Sequence, residues 1–289
     1  MATAPGHRFG QIIGDLLEEA TIEACRPIAA EHGFYLDYIS SRKARNGAKK
    51  VRWEDDKGNH HDLDIVIEEN GTEDAYGTPR AFIEVAWRRY TKHSKNKAQE
   101  ISAAVTSCAN RFATKSPFKG CVLAGDFTDN ALMQLRSEGF SVMYFPTEEV
   151  IEAFDVVGID ITWEEDTPDD ELEARVRECE ALSADELKLV KHKLFELGAE
   201  DFGIFVSSLA AALDRRIIEV DVMAQYCLAR AFPTVKDACE YVSNTSEVSQ
   251  KDIPLQGFSI VVRFSDGDSI EAKFNEKNRA INHLLSLQR

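Results

Sequence analysis

Apolar residues recur every three or four positions through residues 7–31, which is the spacing of a helix with one buried face. They are Phe9, Ile12, Ile13, Leu16, Leu17, Ala20 and Ala24. Gly33 follows where a helix end favours glycine, so the sequence predicts a long first helix that stops there. The next apolar stretch, residues 34–39, predicts a strand.

Two further apolar stretches predict an antiparallel hairpin. Residues 51–56 and 61–67 flank the turn-forming residues 57–59. Because side chains alternate along a strand, Asp62 and Asp64 are expected on one face of the second hairpin strand, opposite its apolar residues.

Residues 80–87 predict another strand, on which Phe82, Glu84 and Ala86 share one face. Helices and short apolar strands then alternate along the chain. The predicted helices are 94–113, 128–138 and 147–155, and the predicted strands are 120–125 and 140–145. This order indicates an α/β layer arrangement of about one domain.

The rest of the chain reads as a second, acidic domain. Residues 163–173 are rich in acidic side chains and predict a linker or an exposed helix start. Beyond it the sequence predicts helices at 183–198, 200–213, 215–231 and 234–243, a hairpin of 257–264 with 269–274, and a closing helix after Asn275. We therefore predict domains at 1–160 and 161–289, the second mainly helical with a terminal β-hairpin and helix.

Charge is distributed unevenly over the 289 residues, whose formal net charge is −16. The first 125 residues hold 18 basic and 17 acidic side chains, and the others hold 16 and 33. A hydrophobic content of 44% excludes disorder of the whole chain. There is no apolar run of the roughly 20 residues that span a bilayer and no signal-peptide layout, so we expect a cytoplasmic protein without a membrane partner. The acidic half either maintains solubility or packs against another subunit.

Several common site types lack their motifs. The six cysteines include no C-x-x-C pair and no histidine at zinc-ligand spacing. Neither G-x-x-x-x-G-K-[ST] nor G-x-S-x-G occurs, so nucleotide phosphorylation and serine hydrolysis have no support.

Basic side chains cluster twice in the first half of the chain. The first cluster is Arg42, Lys43, Arg45, Lys49, Lys50 and Arg52, and the second is Arg88, Arg89, Lys92, Lys95 and Lys97. Such clusters favour binding to the phosphates of DNA.

Asp64 and Glu84 lie on consecutive predicted strands, so strand pairing would bring their carboxylates together. Two adjacent carboxylates repel each other unless a cation lies between them, and Mg²⁺ favours such oxygen ligands. The alternative is that one or both are surface residues of a half-exposed sheet.

In this context the sequence resembles the PD-(D/E)XK nuclease superfamily over roughly residues 7–145. Asp64 matches the aspartate of that motif, and Glu84-Val85-Ala86 matches its acid-x-lysine part except at the last position. Gly14-x-x-Leu17-Glu18 is similar to the first-helix pattern, and Gln99 stands where several members have a functional glutamine.

The resemblance implies a restriction-endonuclease-like core of a helix, three or four strands, a helix and a strand. It implies that Asp64 and Glu84 coordinate Mg²⁺ or Mn²⁺, that Glu18 supports the ion, and that Gln99 helps to position the site. Ala86 stands where the family has a lysine that orients the attacking water. Three explanations are open: a neighbouring base such as Arg88, Lys92, Lys95 or Lys97 substitutes, the lysine has been replaced in an inactivated form, or the domain has lost cleavage.

We therefore expect a metal-dependent DNA endonuclease, acting in restriction or antiviral defence as a homodimer or as a subunit of a defence complex. The alternatives are a catalytically inactive nuclease-fold module that binds nucleic acid or assembles a larger complex, and an α/β scaffold that binds only proteins.

Overall fold

The computed structural model describes residues 4–91, 94–163, 167–224, 229–245 and 256–287. The chain forms two compact units, which meet between Leu213 and Asp214. The helices of the first unit are α1 (Pro5–Glu31), α2 (Ser94–Arg111), α3 (Asp129–Ser137), α4 (Thr147–Asp155), α5 (Asp169–Glu180), α6 (Ala184–Leu197) and α7 (Ala199–Leu213). Its strands are β1 (Tyr35–Tyr38), β2 (Val51–Glu54), β3 (His60–Leu63), β4 (Ile65–Glu69), β5 (Thr78–Arg88), β6 (Phe118–Gly125) and β7 (Ser141–Phe145).

A five-stranded mixed sheet in the order β1-β4-β5-β6-β7 forms the centre of the first unit. β4 pairs antiparallel with β1 and β5, whereas β6 pairs parallel with β5 and β7. Parallel neighbours require crossover connections, and α2 and α3 supply them. The α/β arrangement predicted from the sequence is thus confirmed.

Strand alternation divides the core between the two faces of this sheet. Ile65 and Ile83 belong to a buried cluster that includes Phe9 and Ile13 of α1. Val66, Phe82 and Ala86 point the other way, into a cluster with α2 residues such as Ala98 and Ile101. Each face is therefore covered by helices, which explains why the strands are apolar on both sides.

The predicted hairpin forms, but its second strand is interrupted. β2 and β3 pair in a separate two-stranded sheet, in which Val51 lies opposite Leu63. After a break at Asp64 the chain enters the central sheet as β4. The prediction of one strand over 61–67 was wrong because its two halves pair with different partners. Asp62 accepts hydrogen bonds from Lys50 and Arg52 at the surface, whereas Asp64 accepts one from the backbone N–H of Val85 on β5.

The helical middle of the chain packs on the first unit. Val176, Leu194 and Phe205, from α5, α6 and α7, belong to the same buried cluster as α1. Ion pairs of Arg8 with Glu173 (2.9 Å) and of Lys191 with Glu23 (2.7 Å) join α1 to α5 and α6. The compact unit therefore extends to Leu213, whereas the sequence predicted a division at 160.

The described residues of the second unit form a four-stranded antiparallel sheet with two helices. Its elements are β8 (Ile217–Ala224), β9 (Arg230–Phe232), α8 (Val235–Asn244), β10 (Phe258–Phe264), β11 (Ser269–Phe274) and α9 (Lys277–Leu287). The strand order is β11-β10-β8-β9. The predicted hairpin and closing helix are confirmed.

The prediction of a helix at 215–231 is wrong where the structure describes it, because Ile217–Ala224 form a strand; residues 225–228 lie outside the described residues. Val220, Val222 and Ala224 are buried, while Asp221 and Met223 between them are more exposed. This period of two fits a strand with one buried face. The helices in the described parts of the chain include none that is both long and apolar enough to span a membrane.

Candidate active site

Asp64 and Glu84 meet at the point where the chain enters the central sheet. The pairing of Ile65 with Ile83 sets Asp64 opposite Glu84. The Asp64 backbone N–H donates to Glu84 Oε1 (3.2 Å), and the Val85 N–H donates to Asp64 Oδ2 (2.8 Å). The two carboxyl groups therefore share one site, as the sequence predicted.

The pair is buried in a way that opposes its ionisation. Glu84 is only 7% exposed, and burial, together with the charge of Asp64, raises its pKa to about 8. Burial also raises the pKa of Asp64. Two carboxylates that interact this closely share a proton at neutral pH unless a cation replaces it.

Glu18 brings a third carboxyl group from α1. Burial raises its pKa to about 7, and the charges of Asp64 and Asp15 add to the effect. Its Oε1 is buried and has no hydrogen-bond partner among the described residues. A buried oxygen without a partner is costly, and a cation or a proton would relieve that cost.

Lys97 supplies positive charge to the pair from α2. Its side chain is 16% exposed and pairs with Glu100 (3.0 Å). Its charge opposes the rise in pKa of both Asp64 and Glu84. Ala86, in contrast, is buried in the apolar cluster beneath α2. The positively charged side chain near the carboxylates, Lys97, therefore belongs to α2 and not to β5.

The carboxylates suit Mg²⁺ by their chemistry. Mg²⁺ binds through one or two carboxylates and keeps several waters. Asp64 and Glu84 provide that number, and the unpartnered oxygen of Glu18 lies in the same electrostatic environment. Within the described residues, no three His, Cys, Asp or Glu side chains form a ready-made metal cage.

Other predicted catalytic and basic residues lie away from the pair. Gln99 is exposed, and its position two residues after Lys97 turns it by roughly 200° around α2. Arg88 donates to its neighbouring carbonyl, Trp87 O (2.8 Å). Arg89 donates to the Trp163 carbonyl, and its guanidinium lies 4.9 Å from the centre of the Trp163 ring.

Arg42 and Arg45 do not form a DNA-binding surface, contrary to the prediction. Arg42 is fully buried and pairs with Asp37 (2.8 Å) and Glu68 (2.5 Å). Arg45 is also buried and pairs with Asp37. The acidic partners lie on β1 and β4, so a local run of basic residues without acidic ones concealed three internal ion pairs. Buried charges require such partners.

The remaining predicted phosphate contacts are at the surface. Lys43, Lys49, Lys50 and Lys95 are exposed, and so is Arg52 beside them. Lys43 pairs with Asp74 (3.3 Å). Lys92 lies outside the described residues. The exposed bases on the β2–β3 hairpin are joined to Asp64 through β3, which ends one residue before it.

Comparison with known proteins adds little to this description. No protein-family model matches the chain, and no curated protein matches it. A crystal structure of a protein of unknown function, AF1548, is similar to this chain at 17% identity, over 64% of this chain and 98% of that one. The TM-score is 0.30, which is too low to support an argument about fold or function.

Proposed function

We propose that this chain is a metal-dependent nuclease that hydrolyses phosphodiester bonds of DNA, with a core similar to the PD-(D/E)XK nucleases. The observation that carries the proposal is the pairing of Asp64 with Glu84 in a buried site, where burial and mutual repulsion raise the pKa of Glu84 to about 8. Such a site is poised to accept a divalent cation.

The order of elements supports the same proposal. A helix (α1), three strands (β1, β4 and β5), a helix (α2) and a strand (β6) follow one another along the chain. This is the order that the resemblance implies, with the β2–β3 hairpin inserted after the first strand. Asp64 directly precedes the second of these core strands, and Glu84 lies opposite it within the third.

In this proposal Asp64 and Glu84 hold Mg²⁺ or Mn²⁺, and Glu18 supports the ion from α1. Bound there, the ion supplies a Lewis acid for phosphodiester hydrolysis. Lys97 offsets negative charge at the site and takes the part of the lysine that the family has at the position of Ala86. Glu100 holds the Lys97 ammonium in place.

Exposed bases would hold the DNA backbone. Lys49 and Lys50 directly precede β2, Arg52 lies on β2, and Lys95 lies in the first turn of α2. Phosphate contacts of this kind position DNA without reading its sequence. A role in restriction or antiviral defence, with a homodimer cutting both strands, is part of the proposal.

One observation favours a second candidate function. Ala86 is buried among apolar side chains, and β5 offers no lysine at that position. A domain that kept the fold and lost cleavage would bind DNA without cutting it. In that case Lys97 only lessens repulsion between the carboxylates.

Incubation of supercoiled plasmid DNA with the protein and Mg²⁺ or Mn²⁺ tests the proposal. We expect metal-dependent nicking or linearisation that Asp64→Asn and Glu84→Gln abolish and that Lys97→Met lowers on the order of a hundredfold. Glu171→Gln is the control, because Glu171 is an exposed carboxyl group on α5 that has no part in the proposed site.

Two results would decide against cleavage by this chain. Wild-type protein that binds DNA but leaves it intact with either metal would support the second candidate. Cutting that occurs only in Ala86→Lys would show that Lys97 does not replace the missing lysine.

A further inference from the structure

A cleft of about 650 Å³ lies beside the β2–β3 hairpin. It is lined by Ala44, Arg45, Asn46, Ala48, Lys49, Lys50, Arg52, His60 and Tyr76. Its volume is that of a pocket for a small organic ligand. None of the described residues that line it is acidic, so a ligand with negative charge is favoured.

Tyr76 gives this basic cleft an aromatic wall. The ring packs edge-to-face against Trp53 (5.3 Å between centres), and the Arg42 guanidinium lies 5.1 Å from its centre. Although it is anchored on these sides, Tyr76 remains 45% exposed. A partly exposed ring that is held in place beside lysines can stack on a nucleobase while the lysine side chains bind the phosphate of the same nucleotide.

The basic side chains that line the cleft differ in exposure. Lys49, Lys50 and Arg52 are exposed, whereas Arg45 is buried. Lys50 and Arg52 are exposed and share one acidic partner, Asp62. Arg45 is already paired with Asp37 and contributes to the wall without being available to a ligand. We therefore assign phosphate contacts to Lys49, Lys50 and Arg52.

The cleft lies on the same side of the sheet as the carboxylate pair. Trp53 packs against Phe82 (6.3 Å between ring centres), and Phe82 precedes Glu84 by two residues on the same face of β5. Two residues of strand extend about 7 Å, so Tyr76 lies within roughly 20 Å of Glu84. Duplex DNA covers that distance in about six base pairs at 3.4 Å each.

We propose that this cleft binds an unpaired nucleotide of the DNA substrate, with its base stacked on Tyr76 and its phosphate held by Lys49, Lys50 and Arg52. The inference rests on the proposed function for the identity of the ligand as DNA. An unpaired nucleotide arises from single-stranded DNA or by extrusion from a duplex. In a duplex without extrusion both faces of each base are already stacked, so Tyr76 would have no role.

Fluorescence anisotropy of labelled DNA with the full chain in EDTA tests this inference without cleavage. The probes are a single strand, a blunt duplex and a duplex with one bulged nucleotide. We expect Tyr76→Leu to weaken binding of an unpaired probe by roughly five- to a hundredfold, because base stacking on an aromatic ring is lost. Tyr76→Phe keeps the ring and should bind as the wild type does.

Charge is tested with a matched pair of lysines. Lys50 is 67% exposed and pairs with Asp62, while Lys188 on α6 is 70% exposed and pairs with Asp185. Lys50→Ala should weaken binding and lower its salt dependence, whereas Lys188→Ala should change neither. Thermal unfolding of each variant shows whether the fold is kept, and equal binding by Lys50→Ala and Lys188→Ala would overturn the inference if Tyr76→Leu does not fold.

The outcomes separate this inference from the proposed function. Tyr76-dependent binding of the single strand alone indicates a single-stranded ligand, and such binding of the bulged duplex indicates extrusion. Equal binding of all probes by the wild type and Tyr76→Leu would overturn the inference, even if the plasmid is cut. Polyglutamate is a polyanion without nucleobases. If Tyr76→Leu weakened binding to polyglutamate as much as binding to DNA, the inference would also be overturned, because the ring would then recognise no base. Binding that depends on Tyr76 in a protein that never cuts DNA would leave the inference intact and reject the nuclease.

Discussion

The surroundings of Glu84 oppose the ionisation of its carboxyl group. Its carboxyl group is buried beside Asp64, and both features favour the protonated form. A residue that served only the fold would be more stable as an amide or an apolar side chain. The cost is explained if the site exists to hold a cation, because the ion would reverse the preference for a proton.

The raised pKa of Glu84 predicts that the free energy of unfolding depends on pH. The pKa of Glu84 rises from an ordinary value of about 4.5 to about 8 on folding, so the folded protein holds the proton more tightly than the unfolded chain. The stabilisation is complete below the unfolded pKa and is lost as the pH rises to the folded pKa. In metal-free protein we expect a loss of about 2 to 4 kcal/mol from Glu84 between about pH 5 and pH 8.

Urea unfolding at several pH values measures this loss. Glu84→Gln should remove most of it and should be more stable than the wild type at pH 8. Glu171→Gln, at an exposed position on α5, is the control and should follow the wild type. Added Mg²⁺ should stabilise the wild type at pH 8 but not Asp64→Asn. Identical pH profiles for the wild type and Glu84→Gln would contradict the burial of an ionisable group at this position.

At the scale of elements, buried arginine joins loops to strands. Arg42 pairs with Asp37 on β1 and Glu68 on β4, and it donates to the carbonyls of Thr72 (2.7 Å) and Ala75 (2.8 Å). The loop before β2 and the loop before β5 are therefore both tied to the sheet. These ties place Tyr76 and the exposed lysines around the same cleft.

Removal of this arginine should loosen all of these connections. Arg42→Met leaves the buried carboxyl group of Glu68 without its basic partner, while Asp37 keeps Arg45, and we expect a loss of about 3 to 5 kcal/mol in the free energy of unfolding. Lys43→Met removes a neighbouring charge whose partner, Asp74, is exposed, and it should cost less than about 0.5 kcal/mol. Urea denaturation of both variants provides the comparison. Similar stability of the two variants would show that Arg42 is not the link.

At the scale of the whole molecule, the helices after residue 160 complete the core of the first unit. Buried side chains of α5, α6 and α7, among them Val176, Leu194 and Phe205, pack into the cluster that contains Phe9 of α1. Each buried side chain of this size contributes roughly 1.5 to 3 kcal/mol. Together they are comparable to the whole stability of an ordinary domain, about 5 to 15 kcal/mol.

Truncation tests where the first unit ends. We expect a fragment of residues 1–213 to be soluble and to unfold cooperatively, because it contains the complete cluster. A fragment of residues 1–160 should aggregate or lack cooperative unfolding, because one face of its core would be exposed. Circular dichroism melting and size-exclusion chromatography distinguish the two. A stable fragment 1–160 would show that the acidic helices are dispensable for the core.

Elements with a local hydrophobic pattern could be predicted without the structure. The helical spacing of Phe9, Ile13 and Leu17 and the order of helices and strands through residue 155 predicted most of the first unit. The placement of Asp64 and Glu84 on consecutive strands was enough to suggest that they meet. Periodicity records which side of an element is buried, and neighbouring strands joined by short connections usually pair.

Burial and pairing that depend on residues distant in sequence could be seen only in the tertiary structure. The bases at 42 and 45 look exposed until Asp37 and Glu68 are placed beside them, and residues 217–224 form a strand because β10 and β9 pair with them. Lys97 brings its positive charge near the carboxylates from another element, and Tyr76 lines the cleft from another loop. No local pattern encodes such contacts, because they arise from residues that folding alone brings together.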